Sequence, residues 1–361
     1  MDPIVTIAII IAVSVAAAVV ATLMGYLRII LGISAVMKIN TKCMAIGWRY
    51  LYRENMDVLY ECKDIGEVAV QIASSGYKIS GESADEAEKD VEKELVRMLN
   101  EIRMSAPESL RPLLEAYILK YDAMMVKRII TAKHAGIPKN RIYKEVYPVN
   151  VISKTIIEHM VESEKLDDAI HCLDATPFNK CIEVWDNSRD IVKFEHAIDR
   201  VFFDRLKAAA TMSDDTVRDA VKRFVGVLID SYNLKTAFRC KFMGVRNAEE
   251  YIIDGGRELS LSRLKPMLET ESIDRMLVYL EGTSYHKFLQ DVPPDISEIE
   301  RCIDRALLRI LEEIYGTFSN SAGPTLRFLV AKEYEARNIK AVIRGIKNNV
   351  PHDMYERVIT L

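Results

Sequence analysis

The first thirty residues differ in pattern from the rest of the chain. From Pro3 to Leu27 there is no charged residue. At about 1.5 Å per residue, a helix of this length spans the roughly 30 Å apolar core of a bilayer. A cleavable signal peptide normally begins with positive charge and has a shorter apolar region. The pattern therefore predicts one uncleaved transmembrane helix within residues 1–33.

Positive charge lies on one side of this apolar segment. The nearest cations all follow it, and they are Arg28, Lys38, Lys42, Arg49 and Arg53. Positive charge beside a membrane span holds that flank in the cytoplasm. We therefore expect the protein at the cell membrane, with its N-terminus outside and its bulk on the cytoplasmic side.

Beyond the anchor, apolar residues recur every three to four positions almost throughout. Residues 110–130 and 303–315 show this helical period clearly. Few stretches alternate strictly enough for strands. Only 15 glycines and 11 prolines occur in 361 residues, whereas the many turns of a sheet protein use both. The pattern predicts an all-α protein with long helices and short connections.

One pattern of four positions occurs three times. It begins with an apolar residue. Another apolar residue follows seven positions after the first, a hydroxyl residue ten positions after it and an aromatic residue twelve positions after it. The copies begin at Ile65, Leu166 and Ile273 and end at Tyr77, Phe178 and Tyr285. The two apolar residues share a helix face, and the hydroxyl residue lies where that helix is expected to end.

A second pattern follows each copy of the first. An Asp or Asn stands six residues before an arginine in an otherwise apolar helix. The pairs are Asp122 with Arg128, Asn233 with Arg239, and Asn338 with Arg344. Two patterns that both repeat at 101–111 residues predict three helical units, each large enough for its own core. We place these units at residues 34–148, 149–255 and 256–361.

The arginines of the second pattern have two interpretations. Six residues turn an α-helix through about 240°, so each arginine points away from its acid or amide. Buried polar groups usually have structural partners, which favours acids and amides that tie helix ends together while the arginines reach water. Alternatively, Arg128, Arg239 and Arg344 surround a shared axis and contact acidic groups of a partner.

Composition and motifs exclude several classes of protein. The chain is 49% hydrophobic and 28% charged, as folded proteins are, and its net charge of −4 lacks the basic excess of nucleic-acid binders. It contains no G-x-x-x-x-G-K-[ST] loop for nucleotide phosphates and no H-E-x-x-H metal motif. We therefore expect no catalytic residue, no cofactor, no metal and no small-molecule substrate.

The cysteines are scattered and form no C-x-x-C pair, which indicates free thiols in a reducing compartment. They are Cys43, Cys62, Cys172, Cys181, Cys240 and Cys302. One group has a composition typical of metal ligands: His159, Asp168, His171, Cys172 and Cys181. A di-iron bundle needs a Glu-x-x-His on each of two helices, and without such spacing the expected roles are structural.

Residues 82–94 form a strongly acidic run, ESADEAEKDVEKE. Its simplest interpretation is a solvated helix face or loop. A docking surface for a basic partner is the alternative, because clustered charge also steers association.

The helices of the second pattern resemble the C subunit of archaeal A-type ATP synthases, whose family includes the d subunit of the eukaryotic V-type ATPases. The motifs are N-L-K-x-x-x-R at residues 233–239 and R-N-I-K-x-x-x-R-G-I at 337–346, and the resemblance extends over roughly residues 36–361. It implies three related helical units in a funnel with pseudo-threefold symmetry.

The resemblance also implies a role. The funnel would seat on the membrane rotor ring and receive the foot of the central stalk, coupling rotation to ion-driven ATP synthesis without catalysis. Central-stalk and rotor-ring subunits are then the expected partners, and Arg128, Arg239 and Arg344 are candidate contacts to them. The family is usually soluble, so the added membrane span is a departure.

Two other classes stay open on the residues alone. One is a membrane-anchored helical adaptor unrelated to ATP synthases, and the other is an enzyme with a site between helices, such as the His/Cys group. Co-purification with stalk and ring subunits in fixed stoichiometry distinguishes the rotor role from the adaptor.

The position of the anchor is constrained if the protein turns with a rotor ring, because a span outside the ring would meet the stationary ion-channel subunit. We therefore expect it in the central hole, joined to the funnel by the short segment from Arg28 to Lys42. Small residues recur at every fourth position, which suits close packing but is also ordinary for Ala-rich spans. They are Ala8, Ala12 and Ala16, and then Ala17, Ala21 and Gly25. The alternative is an N-terminal extension that is a start-site artefact or is removed.

Overall fold

The structure, a computed structural model, describes residues 3–80, 83–355 and 359–360. It describes only the backbone of residues 3–8, 352 and 353. Several positions named above therefore lie outside the described residues. They are the first two residues of the anchor, Glu82 of the acidic run, residues 356–358 and Leu361 of the third unit, and the side chain of Ala8.

The described residues are helical, with no strand among them, so the all-α prediction is confirmed for this part of the chain. The first helices are α1 (Pro3–Ile46), α2 (Arg53–Tyr60), α3 (Ile65–Ala73), α4 (Ala84–Ser105), α5 (Arg111–His134) and α6 (Lys139–Glu145). Then come α7 (Lys154–Glu162), α8 (Leu166–His171), α9 (Lys180–Ser188), α10 (Ile191–Met212) and α11 (Arg218–Phe242). The last are α12 (Leu261–Glu269), α13 (Ile273–Val278), α14 (His286–Leu289), α15 (Ile296–Thr317), α16 (Gly323–Lys347) and α17 (His352–Tyr355).

A set of two short and two long helices occurs three times. The sets are α2, α3, α4 and α5; α7, α8, α10 and α11; and α12, α13, α15 and α16. The leading long helices α4, α10 and α15 each have 22 residues. The trailing long helices α5, α11 and α16 have 24, 25 and 25. The order and the lengths of the elements therefore repeat together.

The first sequence pattern marks the same place in each set. Its opening residues are the first residues of α3, α8 and α13. The backbone N–H of each hydroxyl residue donates to the carbonyl of the residue three positions earlier, which closes the turn after the helix. The aromatic residues Tyr77, Phe178 and Tyr285 are fully buried. The repeat therefore places one large aromatic side chain in the core of every set.

The six long helices pack side by side in a closed ring. In order around this helix ring they are α4, α5, α10, α11, α15 and α16, and α16 packs back on α4. Every trailing helix thus packs against the leading helix of the next set. The boundaries proposed at residues 148/149 and 255/256 stay predictions about the sequence repeat, because packing crosses them.

The N-terminal helix is a single element whose last turns pack against two helices of the ring. Residues 9–31 of α1 are exposed, whereas Val36, Ile39, Asn40 and Cys43 are buried against α4 and α16. By length and composition α1 can cross a membrane, as predicted. The backbone stays helical to Ile46, so the segment from Arg28 to Lys42 that joins the apolar stretch to the body is part of the same helix. The boundary of the anchor at residue 33 stays a prediction.

Candidate functional site

A cavity of about 280 Å³ lies inside the helix ring. Its walls come from both trailing and leading helices, namely α5, α10, α11, α15 and α16. Basic side chains outnumber acidic ones on these walls: Lys120, Lys127, Lys235, Arg239 and Arg337 against Asp199 and Glu333. The cavity therefore combines apolar side chains with a local positive excess, although the whole chain is acidic.

Three lysine–carboxylate pairs join the sets around the ring. Each lysine lies on a trailing helix, and each acid lies on the leading helix that follows it in the ring. The pairs are Lys127–Asp199 at 2.6 Å, Lys235–Asp304, and Lys340–Glu92 at 2.5 Å. The lysines are 108 and 105 residues apart, so the pairs occupy corresponding places in the repeat.

The two most buried acids of these pairs stay ionised because cations surround them. Burial opposes the charge of Asp304, but Lys235 and Arg337 outweigh it and hold its pKa below the usual range. Burial likewise opposes the charge of Glu92, and Lys340 and Arg128 lower its pKa. A buried carboxylate that two cations share links helices more firmly than a surface pair does.

The ring closes where the two ends of the chain meet on α16. Asn338 donates to the carbonyl oxygens of Tyr50 (3.2 Å) and Thr360 (2.9 Å), and its own oxygen accepts from the Thr360 N–H. In the preceding set, Asn233 holds Ile253 through the same pair of bonds. Asn233 thus binds one stretch of chain, at Ile253, whereas Asn338 binds two stretches that are far apart in sequence, at Tyr50 and Thr360.

A fully buried ion pair completes this closure. Lys332 and Glu335 are one turn apart on α16, and neither is accessible to solvent. Glu335 accepts from the Tyr50 N–H at 3.0 Å and from the Tyr77 hydroxyl at 3.1 Å. Lys332 donates to the carbonyl oxygen of Ser75 at 3.0 Å. All of these partners come from the N-terminal part of the chain, so the pair fastens α16 to the first set.

The helix ends give the register of the trailing helices. Each ends with a residue at positive φ, namely Gly136, Gly244 and Asn349, and the backbone N–H just before it donates four residues back. The accepting carbonyls belong to Thr131, Arg239 and Arg344. Arg239 and Arg344 therefore occupy equivalent places, but the first helix has Thr131 there. The predicted equivalence of Arg128 is wrong by about one helical turn.

The same register also changes which residues correspond to Asp122 of the second pattern. Asp122 corresponds to Asp230 and Glu335 rather than to Asn233 and Asn338. Asp122 accepts from the N–H groups of residues 150–152, and Asp230 from those of residues 257–259. Burial raises the pKa of Asp230 to about 6. These acids hold the segments that lead into the next short helices, so the structural interpretation applies to them.

The arginines all have partners. Arg239 is bound to Glu300, with one N–O distance of 2.8 Å, and Arg344 is 2.6 Å from Glu88. Their side chains are 57% and 65% exposed, so both still face solvent. Arg128 is 27% exposed and reaches Glu92 at 3.3 Å. Of the three, the two equivalent arginines are therefore the ones open to a further contact.

An arginine can be introduced on α5 at the place that corresponds to Arg239 and Arg344. Thr131 occupies the equivalent place, and its hydroxyl donates to Glu195 at 2.5 Å, as Arg239 binds Glu300. We expect Thr131→Arg to stabilise the protein by about 0.2–1 kcal/mol through an exposed ion pair. Urea unfolding measures it, and Thr131→Gln is the uncharged control. An equal gain from the glutamine variant would show that no pair with Glu195 forms.

One side of the acidic run is an internal docking surface, while other residues of the run, such as Glu86 and Lys93, are exposed to solvent. The run forms the first half of α4, and Asp85, Glu88 and Glu92 follow one side of that helix. Their partners on the antiparallel α16 are Lys347, Arg344 and Lys340. The basic partner considered from the sequence is thus the last long helix of the same chain.

The His/Cys group does not form a ligand set. Among the described residues, no three His, Cys, Asp or Glu side chains come together as a metal site. His171 Nδ1 lies 2.8 Å from the Asp167 carbonyl oxygen, and its Nε2 is 3.5 Å from Asp186. Cys181 is buried, and burial raises the pKa of its thiol to about 12. All six cysteines are free thiols.

The apolar part of α1 and the exposed arginines lie at opposite ends of the helix ring. Asn40 of α1 donates to the Ser321 carbonyl at 2.6 Å and accepts from the Thr325 hydroxyl at 2.7 Å, at the start of α16. Arg344 is 19 residues further along the same helix, which is about 28 Å at 1.5 Å per residue. We call these the anchor end and the arginine end.

Comparisons with known proteins agree on one family. The family model described as ATP synthase (C/AC39) subunit matches residues 39–358. The A-type ATP synthase C subunit of Methanocaldococcus jannaschii is 27% identical over 288 residues, covering 76% of this chain and 72% of that protein. The C subunit of Desulfurococcus sp. (strain SY) is 25% identical over 348 residues, covering 92% and 93%. That of Thermococcus kodakarensis is 24% identical over 332 residues, covering 89% of each. The resemblance stated from the sequence motifs is confirmed, and the chain belongs to the ATP synthase (C/AC39) subunit family.

Proposed function

We propose that this chain is a non-catalytic subunit of the central rotor of an A-type ATP synthase. It couples the central stalk to the membrane rotor ring during ion-driven ATP synthesis. The observation that supports this most directly is the closed ring of six helices around a cavity, with a helix long and apolar enough to cross a membrane at one end. Such a body transmits torque as one piece, because ion pairs join every set to the next.

The two ends of the helix ring have different partners in this proposal. The anchor end faces the membrane rotor ring, because α1 leaves the body there and its exposed surface is apolar. The arginine end faces the central stalk. Arg239 lines the cavity, and the exposed Arg344 occupies the equivalent place at the end of α16, so both can meet acidic groups of the stalk foot. Arg128 joins α5 to α4 and supports the wall.

The three sets form a funnel with pseudo-threefold symmetry in this proposal, and the units are those at residues 34–148, 149–255 and 256–361. Equal helix lengths, one buried aromatic residue per set and equivalent lysine–carboxylate pairs support it. The body lies on the cytoplasmic side, because the cations that follow the span hold that flank inside.

Removal of this subunit tests the proposal. The ATP synthase is purified through a tagged catalytic subunit from cells with and without the chain and is reconstituted into liposomes. Without the chain, ATP hydrolysis should continue while ATP-driven ion uptake falls to background, because the stalk no longer turns the ring. Restoring the wild-type chain should restore ion uptake.

Two results would contradict the proposal. One is ion uptake that persists at the wild-type ratio to hydrolysis in the complex without the chain. The other is absence of the chain from the purified wild-type complex. The isolated chain should also bind no ATP in calorimetry, because its sequence has no loop to hold phosphates.

A further inference from the structure

The exposed apolar surface of α1 extends to the point where the helix enters the body. Residues 9–31 are all exposed, about 35 Å of helix against a bilayer core of roughly 30 Å. Arg28 is the only charged residue between Pro3 and Met37. Ile29, Ile30 and Leu31, beyond that charge, are 50%, 61% and 60% exposed. No polar linker therefore separates the span from the helix ring.

The joint between span and body is rigid. The helix continues without a break from the span to Ile46. Its last three turns are fixed by Asn40 at the start of α16 and by Lys42, which donates to Ser105 at the end of α4 at 2.9 Å. The nearby Ser321 hydroxyl also donates to the Thr216 carbonyl at 2.5 Å, which ties the α10–α11 connection to the same place. The span must therefore turn with the body.

These features restrict where the span can lie, given the proposed rotor function, on which this inference rests. A rigid helix in lipid outside the rotor ring would sweep past the stationary ion-channel subunit in each revolution. A position on the rotation axis avoids this sweep, and the hole must then admit a helix about 10 Å wide.

We infer that residues 9–31 of α1 occupy the central hole of the rotor ring and pack against the inner helices of its subunits. Ile29, Ile30 and Leu31 fill the cytoplasmic mouth of that hole, where the helix ring seats. The exposed Ala12 and Ala16 permit close approach to small residues of the inner wall. The rotor ring then contacts both the N-terminal helix in its central hole and the anchor end of the helix ring.

Three consecutive alanines allow a sharp test, because they point in directions about 100° apart. Ala16, Ala17 and Ala18 are each replaced by cysteine in the full complex, and each variant is modified with a benzophenone maleimide and irradiated. Inside the hole, every direction faces the ring, so all three positions should cross-link to ring subunits. The wild-type chain gives the background of its native cysteines, and Ala135→Cys at the arginine end should label without reaching the ring.

The other outcomes overturn the inference. They are cross-links to the stator, cross-links to the ring from only one of the three positions, and no protein cross-link from any of them. A mature chain shown by mass spectrometry to begin after residue 18 overturns it as well. Each of these results leaves the rotor function intact as long as the chain co-purifies with stalk and ring subunits. Absence of the chain from that complex would instead contradict the rotor function itself.

Discussion

Glu335→Ala should destabilise the protein by about 3–5 kcal/mol, the usual cost of removing one partner of a buried ion pair. The substitution leaves the Lys332 ammonium in the core without its carboxylate. It also removes the acceptor of the Tyr50 N–H and the Tyr77 hydroxyl. Urea unfolding of the detergent-solubilised chain measures the change, and Trp48 fluorescence reports directly on the closure, because Trp48 packs against Phe328 of α16.

An exposed ion pair on the same helix is the matched control. Lys347 of α16 binds Asp85 of α4 at 2.8 Å, and their side chains are 46% and 76% exposed, so Asp85→Ala should cost no more than about 1 kcal/mol. The double variant Lys332→Met/Glu335→Leu should recover much of the loss, because it leaves no charge buried. Equal effects of Glu335→Ala and Asp85→Ala would show that the buried pair does not fasten the helix ring.

Gly256→Ala is expected to destabilise the protein by about 1–3 kcal/mol through overpacking. A Cβ at this position would overlap the Asp230 carboxylate and lie 2.7 Å from the Leu259 carbonyl oxygen. Neither group can easily move, because Asp230 accepts from the backbone N–H groups of residues 257–259. Thermal and urea unfolding should both show the loss.

Gly316→Ala, at a helical glycine of α15, is expected to stabilise the protein, in contrast to Gly256→Ala. A Cβ there meets no atom within 4 Å. Alanine should therefore stabilise the helix by about 0.5–1 kcal/mol, because it restricts the unfolded backbone. Destabilisation by both alanine variants, to a similar extent, would mean that close approach to Asp230 is not the cause.

The sequence pattern predicted those features that depend on local physics. Apolar periodicity predicted an all-α fold, and the uncharged stretch predicted a helix long enough to cross a membrane. The first pattern located α3, α8 and α13 correctly because a hydroxyl residue and a buried aromatic residue reflect how each short helix ends. The motifs at residues 233–239 and 337–346 pointed to the family that the comparisons confirm.

The alignment of the three trailing helices with one another could not be predicted by matching residue types. Asp122 and Arg128 match the spacing of Asn233 and Arg239, but the match is displaced by about one turn. A better signal was present in the glycines after two of the helices, because Gly136 and Gly244 take the positive φ that ends a helix. Counting back from them gives Thr131 and Arg239.

Contacts between distant parts of the chain were also beyond the sequence pattern. The acidic run gave no indication that its partner was α16, some 250 residues away. The lysine–carboxylate pairs that join the sets were missed for the same reason. Their signal was the recurrence of Lys127, Lys235 and Lys340 at the spacing of the helix ends, which becomes visible only when the register is known.

The meeting of the two chain termini on α16 has a consequence for biosynthesis. A ribosome makes α1 first, so the chain can enter the membrane long before its last long helix exists. Until α16 emerges, Tyr50, Tyr77 and the acids of α4 lack the surface that they bind in the finished protein. The nascent chain is therefore an open arc until α16 has been made, and closure of the helix ring follows the synthesis of that helix. A ribosome that stalled before α16 would release a protein that cannot close its ring.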